Sequence, residues 1–405
     1  MRYDTAVSTH TTVLGSFVLF TALASSACGG GEPPPATPPS APGTAAPVAP
    51  IPTPTPSLAP APATSEPTEL SDADKARDQA LAPKIGAIID AYSSFDPQLS
   101  PDGKKLLFRS NRGGVPELYV GEVGKPADPP KKVVPGPERV SSAQFSRDGK
   151  FIVFKRDKGA DENYRLYRVK PDGSELTELT PGEAMHRDDA QLPRKKPNTV
   201  IFTARRTTSP ETMLYVGSLA TAGDAKVVFK DPTPMFVTAA SDDGAHALLV
   251  RFVSPTDQIV FDVDVAQGKS KRVYPPEGKA AGVTSCDYSA DGKRIFLATD
   301  GGGADNVLLA LDATTYAEKG RYVQDRPKTA SISEMLVSPK GDRIAIGVDA
   351  GNKNDVRLLD AQTLKVTTDV KLPLGATFLS SFAEDGKHFI LNGSKLWCTN
   401  GTIAA

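Results

Sequence analysis

The stretch Ser100-Pro101-Asp102-Gly103-Lys104-Lys105-Leu106-Leu107-Phe108 decides the fold, because its pattern returns along the chain. A serine, two turn-favouring residues and a glycine fit a type I turn that a left-handed glycine closes. Such a turn joins two antiparallel strands. The further copies are Ser146-Arg147-Asp148-Gly149, Ser241-Asp242-Asp243-Gly244, Ser289-Ala290-Asp291-Gly292, Ser338-Pro339-Lys340-Gly341 and Ala383-Glu384-Asp385-Gly386.

The glycines of these turns recur at a nearly fixed interval. Successive steps are 46, 95, 48, 49 and 45 residues. The step of 95 residues is two periods, and the missing copy is placed near Pro193-Arg194-Lys195-Lys196. A fixed period of this length is typical of repeat architectures. The chain is therefore predicted to contain seven units.

Each unit has the strand content of a propeller blade. An apolar run follows each turn, and more polar runs follow it, so that a unit holds four antiparallel strands. The apolar runs cover residues 106–108, 151–154, 200–202, 247–250, 295–297, 344–346 and 389–391. A pair of β-sandwich domains is the alternative, but sandwiches do not repeat one turn at a fixed period.

The predicted fold is an all-β, seven-bladed β-propeller over residues 95–405. Its seventh blade is expected to be incomplete, because no fourth strand follows the third-strand run Leu396-Trp397. Either another segment completes that blade, or the ring keeps an open edge, which would be a pairing hazard.

The first 28 residues are predicted to be a targeting segment. An apolar stretch from Val13 to Ala24 is too short to span a bilayer and has the length of a signal core. The following Ser25-Ser26-Ala27-Cys28 resembles a bacterial lipoprotein signal, although that family usually has leucine where this chain has Ser25. The resemblance implies that Cys28 is acylated, and Gly29 in place of aspartate favours the outer membrane. Cleavage by the ordinary signal peptidase, giving a soluble secreted protein, is the alternative.

Residues 29–68 are predicted to be a disordered linker, because 14 of the 36 prolines lie between Pro33 and Pro67. Such a segment favours extended polyproline II and acts as a tether, and a proline-rich docking ligand is the alternative. A helical lead-in is expected over residues 69–94. Ser71 is its candidate N-cap, and Pro83 should break or kink it.

Composition excludes several classes of protein. The net charge of −1 gives no sign of binding to nucleic acid. Only three cysteines occur, which excludes a disulfide framework and a cysteine-built zinc site. A bridge between Cys286 and Cys398 is possible in an oxidising compartment, although the repeats place the two in non-adjacent blades. We predict no metal and no cofactor.

The repeats resemble two known families. The first unit is similar to the repeat of TolB-type periplasmic propellers. The second unit, from Phe145-Ser146-Arg147-Asp148-Gly149 through Asn163-Tyr164-Arg165-Leu166-Tyr167, resembles the N-terminal propeller of prolyl-oligopeptidase-type serine peptidases, which include dipeptidyl peptidase IV and acylaminoacyl peptidases. The resemblance runs from about residue 92 to 395. The resemblance implies that, in such peptidases, catalysis belongs to a separate α/β-hydrolase domain with a G-x-S-x-G elbow. The sequence contains no such motif.

The densest charge cluster is Arg156, Asp157, Asp161 and Glu162, on a connection between two strands. It is a candidate recognition or interdomain ion-pair patch. The alternative is a hydrogen-bonded hairpin that only shapes the loop.

The histidines offer little for catalysis. His246 and His388 open strands after turns and are expected to be solvated. His186, with Asp188 and Asp189, is a conceivable cation site, but neighbouring residues on one strand alternate faces and cannot all converge.

The favoured function is a non-catalytic binding or scaffolding lipoprotein of the cell envelope. It would face the periplasm or the cell surface, with a protein or peptide as partner and with the membrane reached through the lipid anchor. The alternative is the regulatory, substrate-gating propeller half of a serine peptidase whose hydrolase domain is lost or separately encoded. A hydrolase that uses propeller residues alone is a third, weaker hypothesis.

Overall fold

The computed structural model of the chain describes residues 71–89, 92–125, 127–303, 306–324, 330–351, 353–370, 372, 376–394, 397–399 and 402–404. The predicted signal segment with Cys28 and the predicted linker lie outside the described residues. Within the described part, no helix combines the length and the apolar character needed to cross a membrane.

Helix α1 spans Asp72–Ile89. Ser71 caps it, because its Oγ accepts the backbone N–H of Asp74 at 3.2 Å. Asp72 and Asp74 occupy the first turn, where the helix dipole favours anions. Pro83 lies inside the helix and does not end it. The helix and the strands belong to two separate units of the chain.

The strands form six four-stranded antiparallel sheets, each built from four consecutive strands, which we call blades 1 to 6. Their bounds are β1 (Ser94–Leu99), β2 (Lys105–Ser110), β3 (Glu117–Glu122) and β4 (Lys131–Lys132); β5 (Val140–Phe145), β6 (Ile152–Arg156), β7 (Arg165–Val169) and β8 (Thr177–Glu178); β9 (His186–Arg187), β10 (Thr199–Arg205), β11 (Thr212–Ser218) and β12 (Lys226–Asp231); β13 (Met235–Ala240), β14 (His246–Ser254), β15 (Asp257–Asp264) and β16 (Lys269–Tyr274); β17 (Val283–Tyr288), β18 (Arg294–Thr299), β19 (Asn306–Asp312) and β20 (Glu318–Gln324); and β21 (Ser331–Val337), β22 (Arg343–Asp349), β23 (Asn354–Asp360) and β24 (Val366–Val370).

The prediction of seven blades was wrong, because the described residues form six four-stranded blades. The seventh unit supplies only a two-stranded sheet of β25 (Ala376–Phe382) and β26 (Phe389–Ser394). The chain then forms a separate two-stranded sheet of β27 (Trp397–Thr399) and β28 (Thr402–Ala404). Trp397, predicted to lie in the third strand of the seventh blade, pairs with Ala404 instead. The short C-terminal strands satisfy each other, so β26 gains no third strand among the described residues.

The first strands of the units stand side by side and close a ring. β13 contacts β17, β17 contacts β21, β21 contacts β25, and β25 contacts β1. Ser380 in β25 donates to the Pro97 carbonyl in β1 at 2.6 Å, and the Leu379 N–H donates to Glu334 Oε2 in β21 at 2.6 Å. The seventh unit therefore sits between blades 6 and 1. The architecture is an all-β propeller and not a pair of sandwiches.

The repeated turn has the predicted geometry. Gly103 has φ 72° and donates its N–H to the Ser100 carbonyl at 2.8 Å. Asp102 accepts from the Ser100 hydroxyl at 2.6 Å. In five other turns the glycine N–H likewise donates to the carbonyl of the first turn residue. These turns end at Gly149, Gly244, Gly292, Gly341 and Gly386. The copy that lacks glycine is present where it was expected, with the Lys196 N–H 3.2 Å from the Pro193 carbonyl.

The second strand of each blade forms the centre of the core. Leu107, Ile152, Ile201, Leu248 and Ile344 are at most 1% exposed. They pack between neighbouring sheets, so both faces of these strands are apolar. Burying each such side chain contributes roughly 1.5–3 kcal/mol, and this contribution recurs around the ring.

Candidate functional site

The first strands line a central channel with a cavity at each end. The cavity of about 290 Å³ at the end where these strands begin is called the mouth cavity. The cavity of about 220 Å³ at the serine-glycine turns is called the turn-end cavity. Both share a set of polar wall residues, so they belong to one channel. The shared residues are Gln98, Gln144, Gln191, Thr238, Ser380 and Ser381.

The wall glutamines connect neighbouring blades. Gln98 Oε1 accepts the Phe145 N–H at 2.6 Å, and Gln144 Nε2 donates to the Ala190 carbonyl at 2.5 Å. Each bond runs from one first-strand position to the next unit along the chain. The channel wall of blades 1 to 3 is therefore fixed by side-chain amides that are already occupied.

One ion pair of the mouth cavity joins Arg109 and Asp96. The Arg109 Nε donates to Asp96 Oδ2 at 2.8 Å, and its Nη2 bonds the same oxygen. A third donor, Nη1, reaches the Val140 carbonyl of blade 2 at 2.9 Å. Asp96 has φ 53°, a conformation that costs energy for a non-glycine residue. The guanidinium contacts hold Asp96 in this conformation at the rim of the channel.

A second ion pair joins Lys155 and Asp189. Their Nζ and Oδ1 atoms lie 2.6 Å apart, and the Lys155 side chain is only 3% exposed. The Ser142 hydroxyl donates to the same oxygen at 2.7 Å. Burial acts to raise the pKa of Asp189, but Lys155 and the Ser142 hydrogen bond hold that pKa below its ordinary value. This pair places a buried lysine and a fully ionised carboxylate at the channel mouth.

At the turn end, ion pairs span the channel. Arg147, Arg194, Asp242 and Glu384 occupy the same position of four different units, two residues before the turn glycine or its counterpart. Glu384 Oε1 lies 3.0 Å from Arg147 Nη1, and its Oε2 lies 3.3 Å from Arg194 Nε. Arg194 Nη1 is 3.2 Å from Asp242 Oδ1. We call these four residues the cross-channel network. It links blades 2, 3 and 4 to the seventh unit.

Asp287 lies beside this network on the wall of the turn-end cavity. Burial raises its pKa to about 6, against the opposing effect of Arg194. Burial also lowers the pKa of Arg147, and the nearby Arg194 lowers it further. The pKa of Arg194 is raised, because Glu384 and Asp242 outweigh its burial. The pKa values of the charged groups at the turn end thus depend on one another.

The predicted recognition patch does not converge on one point. Asp157 is buried and takes two hydrogen bonds from Arg139, at 3.2 and 3.0 Å. Asp161 accepts two backbone N–H groups of its own turn at 3.3 and 3.0 Å. Arg156 lies 4.6 Å above a tyrosine ring of β7, and Glu162 has φ 54°. Asp157 stabilises the loop from within, and a recognition role for the other three stays a prediction.

The three residues of the conceivable cation site do not converge on one point. Asp188 accepts from Thr203 Oγ1 at 2.7 Å, and Asp189 faces Lys155. His186 Nε2 lies 3.5 Å from Asp188 Oδ1. Among the described residues, no group of three His, Cys, Asp or Glu side chains could hold a metal ion.

His246 has a partner that sequence reasoning missed. Its side chain is 43% exposed, but its Nδ1 lies 3.0 Å from Oδ1 of the buried Asp262. The hydroxyls of Tyr288 and Tyr316 donate to the same carboxylate at 2.8 and 3.0 Å. These four residues line a cavity of about 340 Å³. His388 is 74% exposed and pairs with Asp385 of its own turn at 2.6 Å.

Cys286 is a free, buried thiol. Burial raises its pKa to about 12, so it is not a nucleophile at neutral pH. Its Sγ lies 3.1 Å from Thr238 Oγ1 in the neighbouring blade. Cys286 therefore forms no bridge, and the side chain of Cys398 lies outside the described part of the chain.

Comparison with known proteins supports the fold. No protein-family profile matches the chain, and no curated protein matches it in sequence. A solved prolyl endopeptidase is similar in structure, with 15% identity, a TM-score of 0.62, and coverage of 76% of this chain and 47% of the peptidase. Prolyl oligopeptidase B from Galerina marginata gives 15% identity, a TM-score of 0.58, and 78% and 49% coverage.

Oligogalacturonate lyase from Vibrio parahaemolyticus is also similar, with 15% identity, a TM-score of 0.53, and 67% and 75% coverage. The chain spans about half the length of the prolyl oligopeptidases it matches. At these identities the likeness concerns the fold alone. The predicted resemblance to the propeller of prolyl oligopeptidases is confirmed at that level.

Proposed function

We propose that this chain is a non-catalytic binding or scaffolding module of the cell envelope, which engages a protein or peptide at the mouth cavity. The observation that carries the proposal is the pair of ion pairs at that mouth, Arg109 with Asp96 and Lys155 with Asp189. They present both signs of charge around about 290 Å³ of space. Ligand sites are typically concave and carry a few placed polar groups.

The envelope location rests on the N-terminal pattern. We propose that Cys28 carries the lipid anchor and that residues 29–68 separate the propeller from an outer membrane. Two or more acyl chains give stable anchoring, since each buried methylene contributes about 0.8 kcal/mol. A tether of proline-rich sequence would leave the mouth cavity free to meet partners at some distance from the lipid surface.

Photo-crosslinking in the producing cells tests the binding role. A photoreactive benzoylphenylalanine replaces Ser141, which lines the mouth cavity. The matched control carries it at Lys293, which is exposed beside a turn at the other end of the blades. We expect a discrete product from position 141 that position 293 does not give. Equal yields from both positions would contradict a site at the mouth.

A second candidate function is substrate gating for a serine peptidase, the alternative that the fold comparison keeps open. The cross-channel network favours it, because ion pairs that span the channel would restrict passage of a chain through it. A fluorophosphonate probe labels active serine hydrolases. Recovery of a labelled hydrolase in the product from position 141 would support this role, and products without the label would support scaffolding.

A further inference from the structure

A basic surface lies on blade 3, at the same end of the blades as the mouth cavity. His186 in β9 and Arg205 in β10 are directly paired across the two strands. Directly opposed residues of an antiparallel pair lie on one face with their Cβ atoms roughly 5 Å apart. The turn Thr207-Thr208-Ser209 completes this surface, around an open cavity of about 540 Å³.

The positive charge of Arg205 is not neutralised from within. In the described part of the chain, Arg205 has neither a hydrogen bond nor an ion pair from its side chain. Arg187, directly behind the surface and 4% exposed, donates only to backbone carbonyls, at 3.0 to 3.2 Å. A buried guanidinium with no carboxylate partner adds positive potential at short range.

The nearby acids are already engaged. Glu183 forms a two-point ion pair with Arg206, at 2.6 and 3.1 Å. Asp188 accepts from Thr203 inside the blade and is only 10% exposed. Asp188 also lies 3.5 Å from His186 Nε2, through its Oδ1. Arg205 therefore keeps its charge for an external carboxylate.

We infer that the surface of His186, Arg205 and the 207–209 turn binds an acidic segment of a partner polypeptide. This inference rests on the proposed function, since it names the chemistry of the partner that the mouth cavity would receive. Arg205 supplies a planar two-point donor for a carboxylate, and the hydroxyls of the turn supply further donors. Neither aspartate that the sequence grouped with His186 as a cation ligand pairs with Arg205, because Asp189 faces Lys155 and Asp188 lies beside His186 and Thr203.

Proton NMR of the imidazole C2 protons tests the inference, because the whole chain has only four histidines. The full-length chain with Cys28→Ser is titrated with hexaglutamate, with hexaglutamine at equal ionic strength, and with inorganic phosphate. We expect hexaglutamate to move the His186 signal, identified with His186→Gln, in a saturable way, and hexaglutamine to leave it in place. Loss of one charge-assisted contact in Arg205→Ala should weaken the hexaglutamate affinity about tenfold or more.

Arg343→Ala is the matched control, because Arg343 is a partly exposed arginine of β22 whose ion pair is to its own neighbour Asp342. Its affinity should equal that of the parent chain. If Arg205→Ala unfolds, Arg205→Gln replaces it, since glutamine keeps most of the side-chain length. Equal affinity in the Arg205 and Arg343 variants would overturn the inference, and so would saturation by phosphate without saturation by hexaglutamate.

The crosslink from position 141 separates this inference from the proposed function. If Arg205→Ala lowers the yield of that product several-fold, the acidic-segment inference gains support. If the product persists at full yield in Arg205→Ala, the binding module stands and the acidic-segment inference falls. If no product forms at all in the parent chain, the proposed function itself fails.

Discussion

Arg194 and Glu384 meet across the channel, with Arg194 Nε and Glu384 Oε2 3.3 Å apart, although 190 positions separate them in the sequence. Arg194 belongs to the turn of blade 3, which has Lys196 in place of the glycine, and Glu384 belongs to the seventh unit. The contact therefore joins the two units that depart most from the repeat. The ion pair therefore attaches the seventh unit to blade 3, although the sheet of that unit has only β25 and β26 among the described residues.

Glu384→Gln should lower the free energy of unfolding by about 1–3 kcal/mol. This loss is smaller than for breaking a fully buried ion pair, because the Glu384 side chain is 27% exposed. The change leaves Arg147 and Arg194 facing each other without their shared carboxylate. Urea denaturation of the purified chain measures the effect. Glu122→Gln is the control, because Glu122 pairs with Lys105 on an exposed surface and should contribute nothing measurable. Equal midpoints for the two variants would show that the cross-channel network does not stabilise the ring.

Glu334 should make the ring less stable as pH rises. Burial raises its pKa to about 7 from an ordinary 4.5, and its Oε2 accepts the Leu379 N–H of the seventh unit. Between these two values the folded chain binds more protons than the unfolded chain. The stability that this group contributes is complete below pH 4.5 and is lost as pH rises through 7, by an amount on the order of 2 kcal/mol.

Urea midpoints at pH 5.0 and 7.5 measure this dependence. Glu334→Gln keeps an oxygen acceptor for Leu379 and should flatten the difference between the two midpoints. Glu318→Gln is the control: hydrogen bonding to Arg321 lowers the pKa of Glu318, so it titrates below this range. A Glu334→Gln variant with the full parental pH dependence would assign the effect to another group, such as Asp287.

Gly292→Ala tests the turn that decides the fold. Gly292 has φ 71°, and no atom lies within 4 Å of the position of an added Cβ. The cost is therefore conformational alone, about 1 kcal/mol. Gly303→Ala is the matched control, since Gly303 also has open space around it but does not have a left-handed φ. Thermal or urea unfolding compares the two, and identical stabilities would mean that the turn tolerates alanine.

Cys28→Ser should abolish membrane attachment. Metabolic labelling with palmitate and fractionation of the envelope measure acylation and location. We expect the parent chain to carry label and to sediment with the outer membrane, and the variant to do neither. Cys286→Ser is the control, because Cys286 is buried in blade 5. A parent chain without label would favour cleavage by the ordinary signal peptidase.

Local patterns of the sequence were sufficient to predict the repeating part of the fold. The serine-glycine turn depends on four neighbouring residues, and the left-handed φ of Gly103 and Gly149 follows from that short range. The third unit was also placed correctly, although Lys196 replaces the glycine. The prediction of a third strand in the seventh unit failed, because Trp397 pairs with Ala404 and not with β26. Which of two strands a segment pairs with is decided by competition between them. A periodicity argument does not weigh such a competition.

The site could not be predicted in the same way. The cross-channel network joins residues 190 and 237 positions apart, and only the closure of the ring brings them together. Equal positions within the repeat are the one sequence signal that could have identified it, because Arg147, Asp242 and Glu384 precede their glycines by the same two residues. The contact of His246 with Asp262 had no such signal, since these residues occupy different strands of one blade.

A last test concerns the charge cluster of blade 2, Arg156, Asp157, Asp161 and Glu162. It distinguishes a recognition patch from a hairpin whose charges only shape the loop. Asp157→Ala should lower the free energy of unfolding by about 2 kcal/mol, because it removes two charged hydrogen bonds from Arg139 to a buried acceptor. Glu162→Gln should leave the stability unchanged, since in the described structure the Glu162 carboxylate makes no hydrogen bond or ion pair. If the cluster recognises a partner, Glu162→Gln should lower the yield of the position 141 crosslink several-fold. A full yield from Glu162→Gln, together with an unstable Asp157→Ala, would mean that these charges only shape the loop.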